Sequence, residues 1–127
     1  MKVAVIKELY PGEHRVALVP AVVSTLVKAG HVVQIECDAG LAAGFSNADY
    51  EKAGGAIVDR NEAFHAECVL TVRAGGAAGD TWLQDRTRMT SNSAIIGMAA
   101  RKIMVVPWRV KNELYSVSVK NVFSCLL

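Results

Sequence analysis

Four short apolar segments alternate with three helix-like segments in the first 73 residues, and this alternation constrains the fold most. The apolar segments are rich in β-branched residues and are short, which is typical of buried strands. They are VAVI (3–6), VVQIE (32–36), AIV (56–58) and CVLTV (68–72). Strands and helices in this order build a parallel sheet through right-handed crossovers. We therefore predict an α/β fold, a parallel sheet with helices on both faces.

The segments between these strands carry capping residues of helices. VALVPAVVSTLVKAGH has apolar residues at helical spacing, with Pro20 suited to the first turn and Gly30 to the end, and predicts a helix of about ten residues. Ser46 followed by Asp49 is an N-cap signal, so NADYEKAG predicts a second helix. NEAFHAE predicts a third, short helix.

The pattern weakens after residue 73. SAIIGM (93–98) fits either a strand or a buried helical segment, and KIMVVPW and VSVKNVF fit strands without clear caps or turns. The charge also changes: residues 1–85 contain seven Lys or Arg against eleven Asp or Glu, net −4, and residues 86–127 seven against one, net +6. We predict a domain over residues 1–98 and an atypical basic tail of irregular, uncertain structure over 99–127.

Several classes of protein are disfavoured by simple counts. Pro20 and the pair Arg101 and Lys102 interrupt the longest apolar runs, and the N-terminus lacks the long apolar stretch of a signal peptide, so we expect a soluble, cytoplasmic chain. The basic residues of the tail are scattered among apolar ones, which argues against nucleic acid binding. An odd number of cysteines without metal-ligand spacing indicates reduced, mostly buried thiols: Cys37, Cys68 and Cys125.

Charged residues directly after the first and fourth strands are the candidate site. Ligands of parallel sheets bind at the carboxyl ends of the strands, where the loop 7–15 and Arg73 would lie. Arg15 can hold a carboxylate with two parallel hydrogen bonds, or it can pair with Glu8 or Glu13 to order the loop. Arg73 can face the same crevice, or it can be a solvated charge at the end of a strand.

Lys7 and Glu8, the histidines and a glycine-rich segment are further candidates for chemistry. Lys7 and Glu8 can share in ligand binding or simply pair with each other, and His14, beside Arg15, can reach a ligand. The three histidines, His14, His31 and His65, are too separated to predict a metal site or a Ser/His/Asp triad. AGGAAG (74–79) approaches the phosphate-binding G-x-G-x-x-G spacing, but its first position is alanine and no acidic residue follows at the distance that binds a ribose. We predict no cofactor site in this chain, and no catalytic or metal-binding residue.

Three motifs give the chain a family resemblance. They are KELYPGEHRVALVP (7–20), the junction GHVV (30–33) and AGLAAGFSNADYEKAGGAIV (39–58). Together they resemble the N-terminal domain shared by alanine dehydrogenases and the alpha subunit of proton-translocating NAD(P) transhydrogenases, a flavodoxin-like or Rossmann-like domain. PGEHR and AAGFSNADY resemble the transhydrogenase branch more. In alanine dehydrogenases the positions of Arg15 and Arg73 hold the carboxylate of pyruvate or alanine; in transhydrogenases they would serve interdomain or cofactor contacts.

The resemblance implies a function that needs more than this chain. The transhydrogenase reaction is hydride transfer from NADH to NADP⁺ coupled to proton translocation, so NAD(H) and NADP(H) are the cofactors of the complete enzyme. The implied partners are an NAD-binding domain and membrane and NADP-binding subunits in a homo-oligomeric enzyme at the inner membrane. The chain alone is expected to be inactive and to bind no cofactor. The alternatives are an alanine dehydrogenase-like module that binds a small carboxylate, and an inactive remnant.

The end of the chain departs from the family pattern. SAIIGM still fits it, but ARKIMVVPWRVKNELYSVSVKNVFSCLL does not, and the charge reversal falls in the same region. We hypothesise a truncated member whose last part, roughly thirty residues, comes from a shifted reading frame or from an unrelated terminus. If neither of the other two frames of the downstream nucleotides continues the family pattern, the hypothesis is wrong.

Overall fold

A computed structural model describes residues 1–73, 94–99 and 102–107, which contain six strands and three helices. The strands are β1 (Lys2–Val5), β2 (Val32–Glu36), β3 (Ala56–Val58), β4 (Cys68–Arg73), β5 (Ala94–Ala99) and β6 (Lys102–Pro107). The helices are α1 (Pro20–Lys28), α2 (Asn47–Lys52) and α3 (Arg60–Ala63), and a 3₁₀ turn covers Leu41–Ala43. The four predicted strands and three predicted helices are all present.

The described strands form one sheet in the order β3-β2-β1-β4-β5-β6. The four predicted strands, β1 to β4, are parallel, as predicted. Strand β5 is parallel to β4, and β6 is antiparallel to β5. From β1 the chain moves outward to β2 and β3, and it then returns to place β4 on the other side of β1. The strand order therefore reverses between β1 and β4, the position at which open α/β sheets bind ligands.

The helix ends follow the capping signals of the sequence. Pro20 occupies the first turn of α1, and Gly30 after its end has a φ of 91°, a conformation that favours glycine. At α2, the Ser46 side chain accepts from the Asp49 backbone N–H while the Asp49 side chain accepts from that of Ser46. The third helix begins earlier than NEAFHAE predicted, because Asp59 accepts a hydrogen bond from the Glu62 N–H at 2.8 Å and so starts the helix at Arg60.

Residues from the helices pack on both faces of the sheet at β1 to β4. On one face Val23 of α1 and Tyr50 of α2 pack with Val5 and Ile35 of the sheet. On the other face the core is built by α3 and the residues that follow it against β1 and β4: Ala4, Ile6, Ala63, Phe64, Ala66 and Val69. Successive residues of β1 thus point into different cores, which explains why its sequence is continuously apolar rather than alternating.

The sheet continues past the predicted domain end at residue 98. SAIIGM contributes β5, so the strand reading of that segment is the one observed, and β5 pairs with β4 in parallel. KIMVVPW contributes β6, which pairs with β5 from Ala99↔Lys102 to Ala94↔Pro107. VSVKNVF lies outside the described residues. The division of the chain at residue 98 remains a prediction.

Candidate functional site

The loop 7–15 follows β1 and is bonded to the end of β4 by Glu8. One carboxylate oxygen of Glu8 accepts from Thr71 Oγ1 at 2.5 Å and from the Val72 backbone N–H at 2.6 Å. Thr71 and Val72 are buried, so the Glu8 carboxylate satisfies a buried backbone donor of a neighbouring strand. The loop that carries Arg15 is thereby fixed to the strand that carries Arg73.

A second carboxylate fixes the start of this loop from the other side. Glu36, the last residue of β2, accepts from the Lys7 backbone N–H at 2.7 Å and from Arg60 Nη1 at 2.9 Å. Arg60 also donates to the Lys7 carbonyl oxygen at 3.1 Å. Because Glu36 is buried, the ion pair with Arg60 compensates its desolvation. The backbone at Lys7 is therefore held between β2 and α3.

Glu13 brings the two candidate arginines together. Arg15 donates from Nε to Glu13 Oε1 and from Nη2 to Glu13 Oε2, both at 2.7 Å, and Arg73 Nε donates to Oε2 at 2.8 Å. The Glu13 side chain is only 4% exposed, whereas those of Arg15 and Arg73 are 62% and 40% exposed. The carboxylate is thus enclosed by two guanidinium groups whose outer sides face solvent.

The two arginines set the charge state of Glu13. Hydrogen bonds from Arg15 and then Arg73 hold the pKa of the Glu13 carboxyl well below its usual value, and the same pairing raises the pKa of Arg15. Arg73 also lies over the Tyr10 ring, 4.2 Å from its centroid, a cation–π contact. The result is a preorganised group of two cations and one anion beside the reversal point of the sheet.

The structure brings some of the predicted site residues together and leaves others apart. Arg15 and Arg73 lie together, and the predicted local pairing of Arg15 with Glu13 is present at the same time. The predicted pairing of Lys7 with Glu8 is wrong, because Glu8 is turned to β4 instead. Within the described part of the chain, the Lys7 side chain has no ion-pair partner, and His14 is exposed without a hydrogen bond. Ligand binding by Lys7, His14, Arg15 and Arg73 remains a prediction.

Sequence reasoning did not assign roles to Tyr10, Glu36, Arg60 or Thr71. A usable signal existed for Glu36, since a charged residue ends an otherwise apolar buried strand beside the end of β1. Tyr10 lies in the loop with no neighbour in the sequence that would indicate stacking on Arg73. The partners of Arg60 and Thr71 are 24 and 63 residues away, and their contacts follow only from the sheet order.

The described cysteines are both free, and they differ in burial. Cys68 is buried at the start of β4, and desolvation together with nearby Glu67 raises the pKa of its thiol to about 11. Cys37 is exposed, so a buried thiol is found at Cys68 and not at Cys37, which follows β2 where the strand leaves the core. It contacts Asn47 Nδ2 at 3.4 Å. Cys125 lies outside the described residues.

The turn after β1 does not fit a dinucleotide. In sheets of this type a glycine-rich turn at that place brings backbone N–H groups to the pyrophosphate, but here Lys7 and Glu8 follow the strand. The Glu8 carboxylate, already bonded to β4, would repel a phosphate. AGGAAG lies outside the described residues. Of the helices in the described ranges, none is long and apolar enough to cross a bilayer.

Comparisons with known proteins agree on one family. The family model "Alanine dehydrogenase/PNT, N-terminal domain" matches residues 4–104. Alanine dehydrogenase of Geobacillus stearothermophilus is 49% identical over 75 residues, 58% of this chain and 20% of its own length. Alanine dehydrogenase 1 of Staphylococcus aureus (strain Mu50 / ATCC 700699) is 49% identical over 73 residues, with the same coverage. The chain thus spans about a fifth of the length of these curated relatives.

Solved structures of both branches share the fold. The transhydrogenase from Sinorhizobium meliloti superposes with a TM-score of 0.69 at 29% identity, over 78% of this chain and 28% of that one. An L-alanine dehydrogenase superposes with a TM-score of 0.64 at 33% identity, over 76% and 26%. The family match ends at residue 104, within β6, so residues 105–127 lie beyond it. Motifs, fold and family match together show that the chain belongs to the alanine dehydrogenase/PNT N-terminal domain family.

Proposed function

We propose that Arg15 and Arg73 form the carboxylate-binding side of an alanine dehydrogenase-type oxidoreductase site. The observation that carries the proposal is the convergence of both guanidinium groups on one carboxylate, that of Glu13, within 2.7 to 2.8 Å. Two guanidinium groups at this spacing suit the planar, two-oxygen shape of a carboxylate. The 49% identity to alanine dehydrogenases supports the same reading.

The cluster keeps the capacity to bind a further anion. Two arginines and one glutamate leave a formal charge of +1. The Nη1 and Nη2 atoms of Arg73 donate no hydrogen bond to the described residues, and both guanidinium groups are partly exposed. A small carboxylate such as pyruvate or L-alanine can therefore reach unused donors without breaking the existing ion pairs.

Hydride transfer requires parts that the described residues do not provide. The turn after β1 does not fit a dinucleotide, so in this proposal NAD(H) is bound by another domain that faces the crevice. The chain contributes substrate binding and orientation, and it should have no oxidoreductase activity by itself.

Ligand-dependent thermal stability tests the proposal. Pyruvate at about ten times its dissociation constant should stabilise the full chain by about 1.4 kcal/mol, a rise in Tm of about 5 °C for a chain of this size. R73Q should abolish the shift. K28Q is the matched control and should keep the full shift, because exposed Lys28 ends α1 shortly before the start of β2, at the opposite end of the strands from the cluster. A shift of equal size in R73Q, or no shift in the unaltered chain at constant ionic strength, would refute carboxylate binding by this cluster.

A second candidate is the N-terminal part of a proton-translocating NAD(P) transhydrogenase alpha subunit. It is favoured by the TM-score of 0.69 to a transhydrogenase and by PGEHR and AAGFSNADY. Here Arg15 and Arg73 would contact a neighbouring NAD-binding domain, and the chain would act with membrane and NADP-binding subunits in a homo-oligomer at the inner membrane. NAD(H) and NADP(H) would then be cofactors of the assembly. This candidate predicts no response to pyruvate or L-alanine, and co-purification of the chain with such subunits.

A further inference from the structure

We propose that Glu13 determines the charge selectivity of the arginine cluster, so that the site accepts a monocarboxylate and disfavours a dicarboxylate. The inference rests on the proposed carboxylate-binding function. Glu13 itself need not contact the ligand carboxylate, which binds to the arginines. Glu13 would act by adding one fixed negative charge and by orienting the two guanidinium groups that bind the ligand.

The hydrogen-bond pattern leaves the outward ends of the arginines free. Glu13 receives the Nε donor of both arginines and only one Nη donor, Nη2 of Arg15. The Arg15 backbone N–H also donates to Glu13 Oε1, at 3.1 Å. The Nε donors of both arginines are therefore used by Glu13, whose side chain is only 4% exposed. Nη1 of Arg15 and the Nη1 and Nη2 pair of Arg73 remain for a ligand on the solvent side.

The charges around the cluster are nearly balanced before a ligand binds. Arg15 and Arg73 supply two positive charges, and Glu13 removes one of them. Glu8 is close enough to raise the pKa of Arg15 electrostatically, and Lys7, at the start of the same loop, supplies a further positive charge. One ligand carboxylate can be neutralised by this arrangement. A second carboxylate on the same small molecule would bring another negative charge to a cluster in which Glu13 already holds one, and like charges repel.

A purely competitive role of Glu13 predicts a different effect on ligand affinities. If Glu13 were only a competitor for the arginines, any anion would have to displace it, and removing its charge would strengthen the binding of every anion to a similar degree. If it selects by charge, removing it changes the preference between ligands of different charge. The ratio of two dissociation constants therefore separates these roles, whereas a single affinity does not.

The test compares pyruvate with malonate, which carries two carboxylates. Dissociation constants are measured by NMR titration of the full chain at neutral pH and fixed ionic strength. One charge at about 6 Å in a partly solvated site predicts that E13Q shifts the affinity ratio about tenfold toward malonate. E13D keeps the charge and should keep the ratio within about twofold even if both affinities fall. E51Q removes an exposed carboxylate on α2 and should leave the ratio unchanged.

Each outcome identifies which statement fails. If the unaltered chain binds neither ligand, the proposed function is wrong and the inference fails with it. If the unaltered chain binds pyruvate and E13Q strengthens both ligands equally or leaves the ratio unchanged, the proposed function stands and charge selection by Glu13 is wrong. If E13D shifts the ratio as far as E13Q does, geometry rather than charge sets the preference, and the inference is again overturned. Should E13Q not fold, E13D still exposes the inference to refutation, because a shifted ratio in E13D overturns it.

Discussion

Replacing Glu8 by alanine should destabilise the chain by breaking the link between the loop and β4. In the structure the Glu8 carboxylate is the side-chain acceptor for the Val72 N–H at 2.6 Å and for Thr71 Oγ1 at 2.5 Å. The Thr71 hydroxyl is also within 3.1 Å of the Arg73 carbonyl oxygen and so keeps a partner in E8A. The Val72 N–H, on a residue only 9% exposed, would lose its acceptor.

The loss of stability in E8A follows from the one unsatisfied donor, the Val72 N–H. A buried N–H left without a partner costs about 1 to 3 kcal/mol, and we take about 2 kcal/mol for E8A. For a chain of this length that corresponds to a fall in Tm of about 8 °C. In E8Q the amide oxygen can still accept from Val72, so only the charge assistance is lost, about 1 kcal/mol.

Thermal unfolding followed by circular dichroism gives the stabilities, and hydrogen exchange of the Val72 amide reports the bond directly. E51A is the matched control, since Glu51 is exposed on α2, and its effect should stay within about 0.5 kcal/mol. The reasoning is refuted if E8A unfolds at the same temperature as the unaltered chain with unchanged Val72 exchange. It is also refuted if E8Q is as destabilised as E8A, because charge rather than hydrogen bonding would then be the cause.

Three further predictions concern Glu13, Tyr50 and Gly40. Because the folded state lowers the Glu13 pKa from 4.5, the carboxylate stabilises the fold above that pH and loses its effect as the pH falls below it. E13Q should therefore have a lower free energy of unfolding in urea than the unaltered chain at neutral pH, and this difference should disappear in acid. A difference that does not change with pH contradicts this. Y50F removes a 2.9 Å hydrogen bond to the Leu18 carbonyl oxygen and should cost about 1 kcal/mol in urea unfolding, and a neutral result would contradict the bond. In G40A the new Cβ would lie 2.5 Å from the buried Tyr50 ring, so a loss of about 1 to 3 kcal/mol is expected, and unchanged stability would contradict this packing.

The fold was largely readable from the sequence because its signals are local. Strand β2 and strand β3 coincide with VVQIE and AIV, and the cap at Ser46 marks the start of α2. Hydrophobic segments and caps act over a few residues, so one sequence suffices to find them. The strand β6 was harder to predict, since its pairing with β5 depends on a partner rather than on a cap or a turn residue of its own.

The candidate site was only partly readable, because its contacts span the sheet. Arg15 and Arg73 were assigned to one crevice from the carboxyl ends of their strands, and the structure brings them to a shared partner. The sequence indicated that partner, Glu13, only as a neighbour of Arg15. The hydrogen bond from Arg73 to Glu13 joins residues 60 positions apart, which the sequence does not indicate. The burial of Glu36 and the turn of Glu8 toward β4 likewise depend on which strands lie side by side, which composition and spacing do not determine.

Guanidinium NMR tests most directly whether Arg15 and Arg73 bind one ligand carboxylate together. The full chain is labelled with ¹⁵N, and the Nε resonances of both arginines are followed while pyruvate is added at constant ionic strength. We expect both resonances to move with one common dissociation constant, and R73Q to remove the response of Arg15. Movement of only one resonance, or of neither, would contradict this expectation.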